Sequence, residues 1–288
     1  MAYTLTSHRY GKAENHVVRI YRDTPRHEIR DMTVTTAMRG AFDDAYLTGD
    51  QSKVLPTDSQ KNTAFAYAKQ HGDGSVEDYG VALAKHFVDD VEPIHGARVD
   101  IAVDAWERVV VDGEEHDHTW VRRGPEQRTV SVTVDGTGDE QTVLVTGGVR
   151  DLVILKSTGS EFHDFLTDGY TTLEETKDRI LATAIDATWE FSTPPADWDA
   201  AYASIRAAVV GTFATLHSLA LQQTLWHIGG AVLDAVPEVS SISLVAPNKH
   251  HFLYDTSRFD VTPPVENAGE VFHADDRPYG LIEATVSR

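Results

Sequence analysis

Whatever chemistry this chain performs is done without sulfur nucleophiles. It contains no cysteine, which excludes disulfides, thiolate metal sites and thiol catalysis. Among the side chains that remain, four groups have the type and spacing to bind or react. His116-Asp117-His118 follows Asp112-Gly113, a strong hairpin signal. Residues two apart on a strand share a face, so both imidazoles could reach one zinc ion. No third ligand lies nearby in sequence, so a structural or hydrogen-bonding role is the expectation. Arg179 carries a planar fork of donors, for which Glu175 and Asp178 are the ordinary partners. Gln222 offers an amide that donates and accepts, on a helix that would pack through Leu221 and Leu225. His250 and His251 are adjacent near a strand edge. No Asp-x-Asp cluster with further aspartates is present, which argues against cation-assisted purine hydrolysis.

The background to these groups is acidic. Across 288 residues, 45 Asp and Glu face 25 Lys and Arg, a formal charge of −20. Such a field repels nucleic acid and anionic membranes, and it requires any anion site to be locally positive. Asp43-Asp44, Asp89-Asp90 and Asp275-Asp276 recur while lysine is scarce. Adaptation to high salt and an ordinary acidic cytosolic surface both fit. No window has the apolar length of a membrane span. The first residues lack the apolar core of a secretory signal and the last three are not Ser-Lys-Leu, so a cytoplasmic location is expected.

Hydrophobic periodicity indicates the elements that must hold these groups. His16–Arg22 and Met32–Arg39 alternate as half-buried strands. Val76, Tyr79, Leu83, Phe87 and Val91 step by three and four, a helix that Ser75 and Asp78 would cap. Val99–Val111 and Glu115–Val121 flank the Asp112-Gly113 turn, and Arg128–Val134 reads as a further strand. Gly136–Glu140 is turn-rich and marks the expected boundary between domains at 1–137 and 138–288. Strands at Thr142–Leu155 and Asp178–Phe191 follow. Pro194-Pro195 then precedes a helical region from Trp198 to Val236 with more than one helix. Strands at Ser240–Val245, His251–Asp255 and Leu281–Val286 close the chain. Both halves run strand, helix, strand, which predicts duplicated α+β units with antiparallel sheets.

Seven segments go further. They are Tyr10-Gly11-Lys12, the run Thr57-Asp58-Ser59-Gln60-Lys61-Asn62-Thr63, and the run from Leu155 to Phe162 (LKSTGSEF). With them stand Tyr170-Thr171-Thr172-Leu173 through Asp178-Arg179-Ile180-Leu181, Ser218-Leu219-Ala220-Leu221-Gln222, Pro247-Asn248-Lys249-His250-His251-Phe252, and Pro278-Tyr279-Gly280-Leu281-Ile282. Singly each is weak, but in this order and spacing, across nearly the whole chain, they resemble the urate oxidase (uricase) family. The resemblance implies two tandem tunnelling-fold (T-fold) units per subunit, antiparallel sheets with helices on one face, closing into a barrel in a homotetramer. It also implies active sites at subunit interfaces.

Carried over by motif, Arg179 and Gln222 match the pair that grips the purine, a guanidinium on one edge and an amide on the other. Phe162 matches the aromatic that stacks on the ring. Leu221, where valine is more familiar, and Asp58 match residues whose backbone N–H groups meet the ligand. Lys12, Thr57 and His250 match the proton-handling group, in which a desolvated amine could act as base through the Thr57 hydroxyl. Asn248, with Thr57, matches the cup that holds oxygen or water above the ring. The reaction so implied needs no metal and no cofactor. Urate and molecular oxygen would be the partners, and 5-hydroxyisourate and hydrogen peroxide the products. Two other classes stand beside it: a zinc enzyme of the pterin-type T-fold, using His116 and His118, and a purine-binding oligomer without turnover.

Overall fold

The computed structural model describes residues 3–288, which form two compact units. One comprises the chain up to Val149 with Pro194–Asp199, the other Arg150–Thr193 with Ala200–Arg288.

In the first unit, β1 (Tyr10–Tyr21), β2 (Glu28–Gly40), β3 (Ile94–Val111) and β4 (Glu114–Asp135) pair antiparallel in chain order. Between β2 and β3 come the short α1 (Asp43–Leu47) and two full helices, α2 (Thr57–Gln70) and α3 (Val76–Asp90). The alternation read from the sequence is the sheet's inner face. Val17, Met32, Val34, Val99, Ile101, Val130 and Val132 are buried with Tyr79, Leu83 and Phe87 of α3. Full burial of side chains of this size contributes about 1.5–3 kcal/mol each before chain entropy is counted. The Ser75 cap forms as expected: its hydroxyl accepts the Asp78 N–H at 3.0 Å and Asp78 Oδ2 accepts the Ser75 N–H at 3.0 Å. Asp112 and Gly113 turn the chain with φ of 52° and 89°, the doubly positive pair of a tight hairpin.

Two features depart from the periodicity. β4 is one strand from Glu114 to Asp135, joining the two read separately, with register shifts in its pairing to β3. Helix α2 carries no large apolar stripe. Its buried face is Gln60, Ala64 and Ala68, small or polar residues that periodicity passes over.

β5 (Thr142–Lys156) leads into the second unit, where β6 (Leu181–Phe191), β7 (Val239–Pro247) and β10 (Leu281–Ser287) pair antiparallel. β6 begins at Leu181 rather than Asp178, because residues 176–179 are engaged in loop hydrogen bonds. The long helical region is α4 (Trp198–Thr215) and α5 (Leu221–Ala235). Helix α5 lies close on the sheet: a Cβ added at Gly229 would fall 2.4 Å from a Val286 methyl. β8 (His250–Leu253) and β9 (Phe272–Asp275) form a separate two-stranded ribbon, of which β9 was not foreseen. No helix among the described residues is long and apolar enough to cross a membrane.

Candidate active site

The second unit gathers four of the expected residues around one cavity of about 610 Å³: Phe162, Arg179, Asn248 and His250. A hydrogen-bonded loop core sets their positions. Phe162 and Thr176 exchange backbone hydrogen bonds at 2.8 and 2.9 Å, and the Arg179 N–H donates to the Ser160 carbonyl at 2.9 Å. The same segment pairs with the α4–α5 connection, the Ser218 N–H donating to Gly159 O at 2.9 Å and the Glu161 N–H to Ser218 O at 2.7 Å. The ring-bearing segment is thereby tied to the guanidinium on one side and to the start of α5 on the other.

Arg179 does not adopt its ordinary pairing. The Asp178 carboxylate accepts the Thr158 hydroxyl at 2.9 Å and the Gly159 N–H at 3.1 Å, while Glu175 accepts the Asp164 N–H at 2.9 Å. The guanidinium instead lies 5.2 Å from the Phe162 ring centroid, with Nε buried and without a hydrogen-bond partner. Burial holds its pKa below the usual arginine value, yet a guanidinium remains charged at any pH of interest. A desolvated cation without an acidic partner, in a chain of net charge −20, is the locally positive spot that an anion requires.

Asn248 and His250 flank the junction of β7 and β8. The Asn248 N–H donates to Gly280 O at 2.8 Å, and its Nδ2 lies 3.5 Å from His250 Nδ1. The His250 ring stacks on Phe252 at 5.6 Å. Leu221 and Gln222 open α5, whose first intrahelical bond is Thr224 N–H to Ala220 O at 3.1 Å. Helix geometry leaves the Leu221 and Gln222 N–H groups without intrahelical acceptors. The Leu221 side chain is buried and Gln222 is exposed, outside the cavity lining.

The first unit carries the other three. Lys12 is half-buried on β1 beside Gly11, where an added Cβ would fall 1.7 Å from the Thr36 carbonyl oxygen, so only glycine permits this approach. Thr57 and Asp58 open α2, and their N–H groups are again free of intrahelical partners. The Asp58 carboxylate turns away to Lys61 and, at 3.3 Å, to Asn62. That suits a residue contributing its backbone. Thr57 also borders a cavity of about 550 Å³ lined by Tyr10, Phe42, Tyr46 and Val54. Burial raises the Tyr10 phenol above its usual pKa.

Two participants escaped the sequence reading. Lys156 Nζ donates to Leu216 O at 2.6 Å and Ser218 Oγ at 2.8 Å, fixing the approach to α5. Glu161 bridges His163 Nε2 at 2.7 Å and His217 Nε2 at 2.5 Å. Both lie within quoted motifs, but nothing in their spacing marks these long-range contacts. The His116 and His118 rings are 4.5 Å apart, as the alternation requires. Among the described residues, no three His, Asp or Glu side chains converge as a metal ligand set there or elsewhere.

These features define an α+β protein with a cavity lined by an aromatic ring, a guanidinium without an acidic partner among the described residues, an amide and an imidazole. The sequence model of the Uricase family matches residues 8–133 and 145–283. A uricase of Arthrobacter globiformis is 45% identical over 99% of this chain and 90% of its own length. One from Dictyostelium discoideum is 38% identical over 99% and 98%. The crystal structure of the Arthrobacter globiformis uricase superposes with a TM-score of 0.91 at 44% identity, covering 100% of this chain and 96% of the other. Urate oxidase from Bacillus sp. TB-90, 20% identical with a TM-score of 0.83 over 98% of this chain and 100% of the other, shares the fold. The chain belongs to the uricase family.

Proposed function

We propose that the chain oxidises urate with molecular oxygen and water to 5-hydroxyisourate and hydrogen peroxide, without a metal or flavin. Family membership makes it an oxidoreductase. The observation that carries the reading is Arg179, a desolvated cation left without an acidic partner against the Phe162 ring.

Urate is electron-rich once deprotonated, so the protein's task is to take protons, orient the ring and hold oxygen over it. Arg179 and Gln222 grip opposite edges of the purine, Phe162 stacks on its face, and the Leu221 and Asp58 N–H groups fix its register. Lys12, Thr57 and His250 move protons, and Asn248 with Thr57 holds oxygen, then water. One urate, one oxygen and one water balance one 5-hydroxyisourate and one peroxide: two electrons pass from the ring to oxygen, and water supplies the new hydroxyl.

Residues 1–137 and 138–288 are read as tandem T-fold units that close a barrel in a homotetramer. Each site would then combine Lys12, Thr57 and Asp58 of one subunit with the remaining groups of its neighbour. A cytoplasmic, salt-tolerant enzyme fits the acidic composition.

The test follows urate loss, oxygen uptake and peroxide release together, with and without EDTA, in low and high salt. Matched stoichiometry insensitive to chelator is the expected result. No turnover by folded protein at either salt level would overturn the reading and redirect attention to His116 and His118.

A further inference from the structure

Thr36 and Gln60 are uncharged polar side chains sealed in the first unit's core, 1% and 0% exposed. Burying such groups is costly unless they are hydrogen-bonded, and here they bond to each other. Thr36 Oγ1 donates to Gln60 Oε1 at 2.9 Å and accepts the backbone N–H of Lys12 at 3.3 Å. Gln60 lies three residues after Thr57 in the first turn of α2, and its Nε2 donates back to Leu55 O at 3.4 Å. One buried chain of hydrogen bonds thus runs from the backbone of Lys12, across β2, into the turn that carries Thr57.

A second buried residue completes the grip on Lys12. Asn15 Nδ2 donates to Lys12 O at 3.3 Å and to Val34 O at 2.8 Å, on the far side of a bulge between Lys12 and Asn15. Buried side chains therefore hold both the N–H and the carbonyl of Lys12. The Asp58 carboxylate, lowered in pKa first by its hydrogen bond from Lys61, is lowered further by the charge of Lys12. Lys12 is therefore within electrostatic reach of the first turn of α2.

We propose that Thr36 and Gln60 are positioning residues that set the Lys12 amine against the Thr57 hydroxyl. The inference rests on the reading of Lys12 and Thr57 as the proton-handling pair. The bond between the two side chains could be replaced by an apolar pair at little cost; their further bonds, to the Lys12 N–H and the Leu55 carbonyl, could not. What the hydrogen bonds add is a fixed register between strand and helix that apolar contacts do not specify.

The experiment compares Thr36→Val, which is isosteric and lacks the hydroxyl, with Thr36→Ser, which keeps it. The double variant Thr36→Val/Gln60→Met removes both ends of the Thr36–Gln60 bond together, so neither side chain is left facing an apolar partner; its melting temperature and circular dichroism are recorded to establish that it folds. Lys12→Met serves as the reference. Turnover is measured well below each melting temperature, and urate affinity without oxygen. The double variant should lose about tenfold in kcat, with anaerobic affinity within about twofold of the parent. Thr36→Ser should keep kcat within about twofold. A double variant with parental kcat, or one losing kcat and affinity by the same factor, would overturn the proposal, as would a Thr36→Ser as slow as Thr36→Val. If Lys12→Met turns over at the parental rate, the proton-handling assignment itself falls, an outcome distinct from these.

Discussion

The guanidinium of Arg179 lies 5.2 Å from the ring centroid of Phe162, which also stacks on Phe165 at 4.9 Å. The ring's face is electron-rich and the guanidinium is weakly hydrated, an attraction of about 0.5–2 kcal/mol. Among the described residues no carboxylate pairs with Arg179. Asp178, next in sequence to Arg179, spends its carboxylate on Thr158 and Gly159. The charge that would quench the cation is instead used to shape the loop beside it.

Arg179→Ala should therefore cost most in binding. Loss of a charge-assisted, bidentate contact predicts at least about 30-fold weaker urate affinity. Arg179→Lys keeps the charge without the fork and should fall between. Phe162→Leu should cost about 0.5–1.5 kcal/mol. Calorimetry in the absence of oxygen distinguishes the three, and parental affinity in Arg179→Ala would end its assigned role.

Asn248→Ala should separate binding from chemistry. Its side chain meets His250 and the cavity, while its backbone anchors to Gly280 independently. Anaerobic affinity should stay near parental while kcat falls about 100-fold, the scale of losing one oriented donor. Stopped-flow traces after mixing with oxygenated buffer would show it, and unchanged turnover would count against an oxygen cup.

Shared sites predict complementation. Inactive Thr57→Ala and Arg179→Ala chains, refolded together, should recover part of the activity through neighbours that supply one intact set. Verified hetero-oligomers with no recovery would place each site within a single chain.

The ladder of strands was legible because one face of each sheet is buried, and so were the Ser75 cap and the Asp112-Gly113 turn. Helix α2 was not, since its inward residues are Gln60, Ala64 and Ala68. The pocket residues could be named from motifs, but their environment could not. That Arg179 lacks its expected carboxylates depends on where Thr158, Gly159 and the Asp164 N–H fall in space. Long-range clamps such as Lys156 on Leu216 and Glu161 on His217 are set by loop packing, which no local pattern encodes.

His163 should titrate above an ordinary histidine. Both ring nitrogens face carboxylates, Glu161 and Asp164 at 2.7 Å each, so both must carry protons to donate. Its pKa is raised from 6.5, first by Glu161 and then by Asp164. The folded loop thus binds this proton more tightly than the unfolded chain. Any stabilisation is complete below the ordinary value and is lost as pH rises through the raised one. Proton NMR of the imidazole should show an upward-shifted midpoint that falls in Glu161→Gln; an unshifted midpoint would contradict the clamp.

The first unit's stability should depend on Glu77. Its side chain, 4% exposed, accepts both bonds from Arg128 Nη2 at 2.8 and 2.9 Å, while Asp199 accepts from Nη1 at 2.5 Å. Glu77→Ala removes the more buried of the two carboxylates on the Arg128 guanidinium and should cost about 3 kcal/mol, the lower end for a broken buried pair because Asp199 and the Trp198 carbonyl remain. Denaturant melts would detect the shift.

Helices α2 and α5 each begin with main-chain N–H groups that have no intrahelical acceptor. Such a donor does not depend on which side chain the residue carries, so a leucine at 221 offers the same hydrogen that a valine would. Only one amino acid removes the hydrogen itself. Leu221 is the first residue of its helix, where proline is well accommodated. Ala220 before it is already extended, with φ of −161° and ψ of 156°, as a residue preceding proline must be. Leu221→Pro would thus remove one main-chain donor together with some packing of a buried side chain, whereas Leu221→Val changes the packing and keeps the donor, so the two variants compared isolate a single hydrogen.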